Sequence, residues 1–350
     1  MASALVLRAA ALSALLCGSF LSAAPAVPTQ RIMGVDYVSL QAAGDALGLR
    51  ATSSLLGRNF TLSGPSHRVD LEVNSRDILV DGLRVFLGDP TVGRDGRLYV
   101  SRTDFEFRLI PFLRPEMAGP PPAHPRIIAI DPGHGGKDPG KQNFRLGIME
   151  KTCTLQVAFR LKRLLEAGGY KVVMTRTDDR QLEPDKVADL PRRAEIANLA
   201  HADLFVSIHF NAIANDTRTT GSEVYSFVPE FQRSSNSWSD RKDDSLREVS
   251  PANRQDAWNA LFAHAVHRQL MSNLHTMDRG EKIMHLAVLR PLRCPGILVE
   301  SAFLSNDSEA RRVATPAFQE KIAAAFLAGI NDYARILDSI RPAPQKPTKP

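Results

Sequence analysis

The chain is 350 residues long, with 43% hydrophobic and 23% charged residues, a net charge of +6 and a pI near 9.3. These are ordinary globular proportions, which exclude a chain disordered throughout, and the length admits two domains or one large one. The positive balance suits an acidic or polyanionic partner but carries no information about fold or chemistry.

Residues 1–26 read as a secretory signal: Arg8 precedes an apolar stretch from Ala9 to Leu21, and Ala24-Pro25-Ala26 supplies a small-x-small cleavage site. A single membrane anchor and a lipoprotein signal at Cys17 are the alternatives. Nothing later is long and apolar enough to span a bilayer. Cleavage leaves Cys153 and Cys294, expected as two buried free thiols rather than a disulfide.

A small β-rich accessory domain is expected over residues 31–112. It opens with Val35-Asp-Tyr-Val-Ser-Leu40 and a short helical pattern over Gln41–Leu47. Alternating segments follow at 59–62, 68–73, 77–80, 84–87 and 98–101, separated by turn signals at Asp81-Gly82 and Asp95-Gly96. This pattern resembles the stalk-type domain related to the copper amine oxidase N-terminal domain; it brings no copper ligands and implies an accessory or targeting role. Prolines between Pro111 and Pro125 then predict an extended, semi-rigid bridge, with a linker over 113–125.

From residue 126 to 338 apolar strands alternate with helices. Strands are expected at 126–131, 170–174, 202–208, 222–226 and 296–300. Helices are expected at 150–168, 192–200, 257–274 and 316–336. The fold class is therefore α/β: a mostly parallel sheet with helices on both faces, preceded by the small β-rich domain. The Pro-rich end, 339–350, is expected to be disordered.

Four residues point to chemistry. His134 lies in Asp131-Pro-Gly-His-Gly-Gly136, past the C-terminal end of the first strand, where open α/β sheets bind ligands. The flanking glycines free the backbone to bring the imidazole close to an ion. A phosphate loop is the competing reading, but the Lys-Ser/Thr ending is missing. Glu150 opens a helix and His209 ends an apolar strand. Glu300 closes Pro295-Gly-Ile-Leu-Val-Glu300, where a buried carboxylate is costly without a partner or a task. Two imidazoles and a carboxylate suit a catalytic zinc with one open position, and a further Glu suits a general base. His264 and His267, three apart on one helix, are expected to be exposed helix residues rather than a metal pair.

Taken in order, these stretches resemble the zinc-dependent N-acetylmuramoyl-L-alanine amidases of the cell-wall amidase type 3 family. They are residues 130–140, Glu150-Lys151, Thr175-Arg-Thr-Asp178, 192–198, Ser207-Ile-His-Phe-Asn-Ala212, Asp278-Arg-Gly280, Val288-Leu-Arg290, Leu298-Val-Glu300 and Phe303-Leu-Ser-Asn306. The resemblance implies one zinc ion on His134, Glu150 and His209, Glu300 as the catalytic carboxylate, and Asn211 and Arg290 as contacts to these residues or to substrate. It also implies hydrolysis of the bond between N-acetylmuramic acid and L-alanine of peptidoglycan, in wall remodelling or cell separation. The protein would then be exported to the periplasm or extracellular wall, with peptidoglycan rather than nucleic acid as partner. A zinc peptidase on stem peptides and a non-catalytic wall-binding protein remain alternatives. The departure is a long polar insertion over 229–256, read as a lid or substrate loop on which an activator protein could act, or as a surface insertion.

Overall fold

The computed structural model describes residues 26–235 and 249–341. The expected signal segment, but for Ala26, and the end of the tail lie outside the described residues.

The N-terminal part builds β1 (Thr29–Ile32), β2 (Val35–Ser39), α1 (Leu40–Leu47), β3 (Arg50–Ser53), β4 (Asn59–Ser63), β5 (Arg68–Glu72), β6 (Asp77–Val80), β7 (Leu83–Phe86), β8 (Val92–Arg94) and β9 (Arg97–Ser101). Ser39 caps α1 by accepting from the Ala42 amide, and Gly48 ends it in the left-handed conformation. Two short helices, α2 (Arg102–Asp104) and α3 (Ile110–Leu113), follow on either side of a π-turn at Phe105–Leu109. Pro111 therefore lies within a helix and Pro115 opens a 3-10 turn, so the extended bridge expected from Pro111 onward begins only after Met117.

Then come β10 (Ile127–Pro132), a two-strand hairpin of β11 (Gln142–Asn143) and β12 (Ile148–Met149), α4 (Glu150–Ala167), β13 (Lys171–Met174), α5 (Lys186–Leu199), β14 (Leu204–Asn211), β15 (Ser222–Phe227), α6 (Asp256–Leu274), β16 (Asp278–Met284), β17 (Gly296–Phe303), α7 (Asp307–Val313) and α8 (Pro316–Ile340). Helix α5 starts six residues earlier than its apolar pattern suggests, because Asp185 caps it by accepting from the Ala188 amide. Helix α8 runs into the stretch expected as tail.

The main sheet has the order β13-β10-β14-β17-β15-β16-β7-β6-β5-β4-β3. The mostly parallel sheet expected from the sequence is instead mixed. Strands β13, β10, β14 and β17 are parallel, β15 runs antiparallel to β17, and β16 is again parallel to β15. The reversal arises because β14 and β15 are joined by a short turn-rich connection with no crossover helix, and only a crossover can return the chain in the parallel sense. Beyond β16 the sheet passes through β7, paired in parallel at Glu281 and Val85, into the antiparallel meander β7 to β3. The N-terminal strands thus extend the same sheet.

One core fills the face covered by α4, α6 and α8 and includes Phe210, Val299, Phe326 and Tyr333. A second lies on the face of α5 and includes Phe205, Tyr225 and Leu298. Cys153 and Cys294 are buried free thiols in different cores. The N-terminal core reaches across to Ala260 of α6.

Charge reinforces that junction. Arg108 pairs with Glu281, both side chains fully buried, and His264 Nδ1 lies 3.3 Å from the other Glu281 oxygen. Phe112 stacks on the His264 ring at 4.4 Å. His267 meets Asp278 at 2.9 Å, and Asp278 also accepts from the Arg84 amide. The expectation that His264 and His267 are exposed is overturned: both are buried, and their carboxylate partners come from β16 rather than from their own helix.

Candidate metal centre

Asp131, fully buried at the end of β10, organises the loop that follows. It accepts from Thr175 Oγ1 at 2.6 Å, Ser207 Oγ at 2.7 Å and Arg193 Nη1 at 2.9 Å. Burial alone would raise its pKa, but the Arg193 guanidinium and the two hydroxyls hold it below the usual carboxylate value. Arg193 also donates to the carbonyls of Pro132 and His134, while Arg176 donates to those of Pro132 and Gly133. Two buried guanidiniums therefore fix the loop at three successive carbonyls. Burial, and then the charge of Arg193, push Arg176 down to about 10.

On this loop His134 takes a left-handed backbone, φ +63°. Its Nδ1 is 2.8 Å from Asp138 Oδ2 and its Nε2 is 3.0 Å from Glu150 Oε2. Glu150, the first residue of α4, is only 1% exposed. Its carboxylate also accepts from the amides of Lys141 and Phe210 and lies 2.9 Å from His209 Nδ1. Burial would raise its pKa, but the hydrogen bonds and charge of the two imidazoles hold it well below the usual range. His134 is raised in return, because Glu150 and Asp138 outweigh the opposing effect of burial.

Glycines allow this convergence. A Cβ on Gly133 would sit 2.3 Å from His209 Cε1. At Gly140, φ +67°, a Cβ would sit 2.6 Å from both Glu150 Oε2 and His134 Cδ2. One donor atom each from His134, Glu150 and His209 lie within 4.8 Å of one another, so the structure brings together the trio expected from the sequence. Two imidazoles around a buried carboxylate, one ring oriented by a further carboxylate, are the donor set of a metal site that leaves a coordination position open.

Glu300 stands beside the trio. It lies within β17, not at its end, opposite His209 on one side and Glu223 on the other. Its Oε2 is buried with no hydrogen-bond partner among the described residues. Burial, then the charges of Glu150 and Glu223, push its pKa well above the carboxylate value. Glu223 was missed by sequence reasoning, although a carboxylate inside an apolar strand is the same signal that marks Glu300. Lys282 pairs with one Glu223 oxygen and Asn211 Nδ2 donates to the other at 2.5 Å. Asn211 thus holds Glu223 rather than a member of the trio. The cleft of about 130 Å³ at His134 and His209 is walled by Leu286, Ala287 and Val288. Arg290 lies two residues beyond it, with its carbonyl accepting from the Ala252 amide.

Residues 236–248 of the insertion lie outside the described residues. Its stem is docked: Gln232, 1% exposed, bonds Asp89 and Ser101 of the N-terminal part, and the Ser235 amide donates to Ile283 of β16.

Residues 128–332 match the family model of N-acetylmuramoyl-L-alanine amidases. The chain is 33% identical over 221 residues to the germination-specific N-acetylmuramoyl-L-alanine amidase of Bacillus subtilis strain 168, covering 61% of this chain and 81% of that protein. It is 32% identical over 243 residues to the N-acetylmuramoyl-L-alanine amidase AmiC of Escherichia coli O6:H1, covering 63% of this chain but only 56% of that protein. A solved N-acetylmuramoyl-L-alanine amidase from Clostridium difficile 630 aligns with 28% identity and a TM-score of 0.48 over 61% of this chain and 98% of that one.

Proposed function

The chain belongs to the N-acetylmuramoyl-L-alanine amidase family, and from that premise we propose that it cleaves the amide bond between N-acetylmuramic acid and the L-alanine of peptidoglycan stem peptides at a single zinc ion held by His134, Glu150 and His209. The observation that carries this reading is the convergence of that trio beside Glu300, whose buried Oε2 has no hydrogen-bond partner among the described residues. When bound, zinc supplies a Lewis acid that polarises the scissile carbonyl and acidifies water. Glu300 accepts the proton of the attacking water and returns it to the amide nitrogen, which leaves as the free amine of L-alanine. Burial and the charges of Glu150 and Glu223 raise its proton affinity, which favours proton uptake from water. Asp138 fixes the ring of His134 through Nδ1, and Arg176 and Arg193 hold the loop carbonyls so that the imidazole keeps its position.

We further infer export to the periplasm or the extracellular wall, a role for residues 229–256 as a lid or substrate loop, and an accessory role for the β-rich part. No helix among the described residues is long and apolar enough to cross a membrane.

The test is E300Q in the full chain. Zinc content and thermal unfolding should stay close to wild type while release of stem peptides from purified peptidoglycan falls by roughly 100- to 10,000-fold, the usual worth of a general base. Wild-type lysis by E300Q sinks the assignment of the base. Fragments lacking a free L-alanine amine replace the amidase reading with a peptidase.

A further inference from the structure

We propose that the groove between the β11–β12 hairpin and the turn from β17 into α7 binds the glycan strand of the substrate, with Phe144 as a stacking platform for a sugar ring; this rests on the peptidoglycan reading above. The groove encloses about 690 Å³. Phe144, on the hairpin loop, is 86% exposed and leaves its ring open to a ligand in the groove.

Position links the groove to the trio. The Lys141 amide, next to β11, donates to Glu150, and Glu150 follows directly on β12. Across the groove, the Leu304 amide donates to the Asn211 carbonyl, two residues beyond His209, and Asn143 Nδ2 ties the hairpin to the Leu304 carbonyl. The two walls of the groove are therefore tied to segments that carry the metal ligands Glu150 and His209.

Chemistry separates sugar from peptide. The side chains of Gln142, Thr217 and Ser308 line the groove and have no hydrogen-bond partner among the described residues, so neutral donors and acceptors are free for hydroxyls and acetamido groups. Arg145, the one cation lining the groove among the described residues, faces Asp307. The face of an aromatic ring carries negative density that attracts the C–H face of a pyranose. The cleft at His134 and His209 differs in character: its apolar Leu286 and Val288 suit the alanine methyl of the stem peptide. The scissile bond joins those two halves, and each groove matches one of them.

The experiment reads binding without turnover. The probe is a peptide-free tetrasaccharide of alternating N-acetylglucosamine and N-acetylmuramic acid, titrated into the full chain by calorimetry and saturation-transfer NMR, with the free stem peptide as a second probe. Wild type and F144W should bind the tetrasaccharide, and F144A should lose roughly tenfold in affinity, the order of one aromatic contact. Absence of wild-type binding, or equal binding by F144A, overturns the proposal. So does a loss in F144A confined to the free peptide, which would assign the groove to peptide. A protein that binds the glycan through Phe144 yet releases no stem peptide sinks the hydrolase reading and leaves this one standing.

Discussion

Gly140→Ala is the sharpest test of how the trio is assembled. The residue has φ +67°, so any side chain there costs about 1–2 kcal/mol in the backbone. The larger effect is steric. The added methyl would lie 2.6 Å from Glu150 Oε2, 2.6 Å from His134 Cδ2 and 2.8 Å from Glu150 Cβ. Relief to ordinary contact needs a shift of roughly 1 Å in one or both residues, whereas metal–ligand distances tolerate about 0.2 Å. Changing a group that merely supports a ligand lowers metal affinity by about 10- to 100-fold. Displacing two ligands directly should reach at least the upper end of that range. Gly147→Ala is the matched control: it has the same φ, +67°, and no atom within 4 Å of the new methyl. Both variants should lose thermal stability, but only G140A should lose zinc affinity, measured by competition with a chromophoric chelator. Equal zinc affinities for the two variants would refute the account, because crowding would then have no consequence at the ligands.

Arg108→Met leaves Glu281 buried with only His264 beside it, and should cost about 3–5 kcal/mol in denaturant unfolding, with the R108M/E281M double variant recovering much of it. Asp131→Asn should destabilise by about 3 kcal/mol at neutral pH by leaving Arg193 half-paired. Because the folded pKa of Asp131 is depressed, its contribution is present above the unfolded value of 3.8 and is lost as pH falls through the folded one. The gap between wild type and D131N should therefore begin to narrow below about pH 4 and close only below the folded pKa in a stability–pH series. Burial pushes the thiols of Cys153 and Cys294 up to about 11 and about 12, so both should resist a thiol reagent at pH 8 until the protein unfolds.

The trio was legible because each member carries a local signature: a glycine-flanked His after a strand, a Glu at a helix start, a His at a strand end. The glycines were legible as close-approach points, but those pressing on the donors are Gly133 and Gly140, and which side chain each one meets depends on the folded loop. Glu223 was hidden behind an ordinary strand pattern, since its partners Lys282 and Asn211 arrive from other strands. The burial of His264 and His267 leaves no trace in their own helix, because their carboxylate partners Glu281 and Asp278 lie 17 and 11 residues on, in another strand. Continuation of the sheet from β16 into β7 rests on backbone pairing, which leaves little trace in side-chain patterns. Arg108, inside the apolar run Phe105–Leu113, was the readable clue that a buried partner waited elsewhere.

Strand β16 shows what that continuation means for the site. Successive side chains of a strand point to opposite faces. Glu281 turns toward the N-terminal part and pairs with Arg108; its neighbour Lys282 turns the other way and pairs with Glu223, which stands opposite Glu300. The same Lys282 ammonium lies 5.5 Å from the ring centre of Phe86 in β7, so the N-terminal part also touches this residue directly. The β-rich part is therefore continuous with the outer wall of the site: its docking strand sets β16, β16 sets Lys282, and Lys282 with Asn211 fixes the carboxylate that helps hold the Glu300 pKa high. The docked stem of the insertion joins the same wall, through Gln232 to Asp89 and Ser101 and through Ser235 to Ile283. The N-terminal part is thus joined to Glu300 through one strand and two ion pairs, none of which involves the metal ligands.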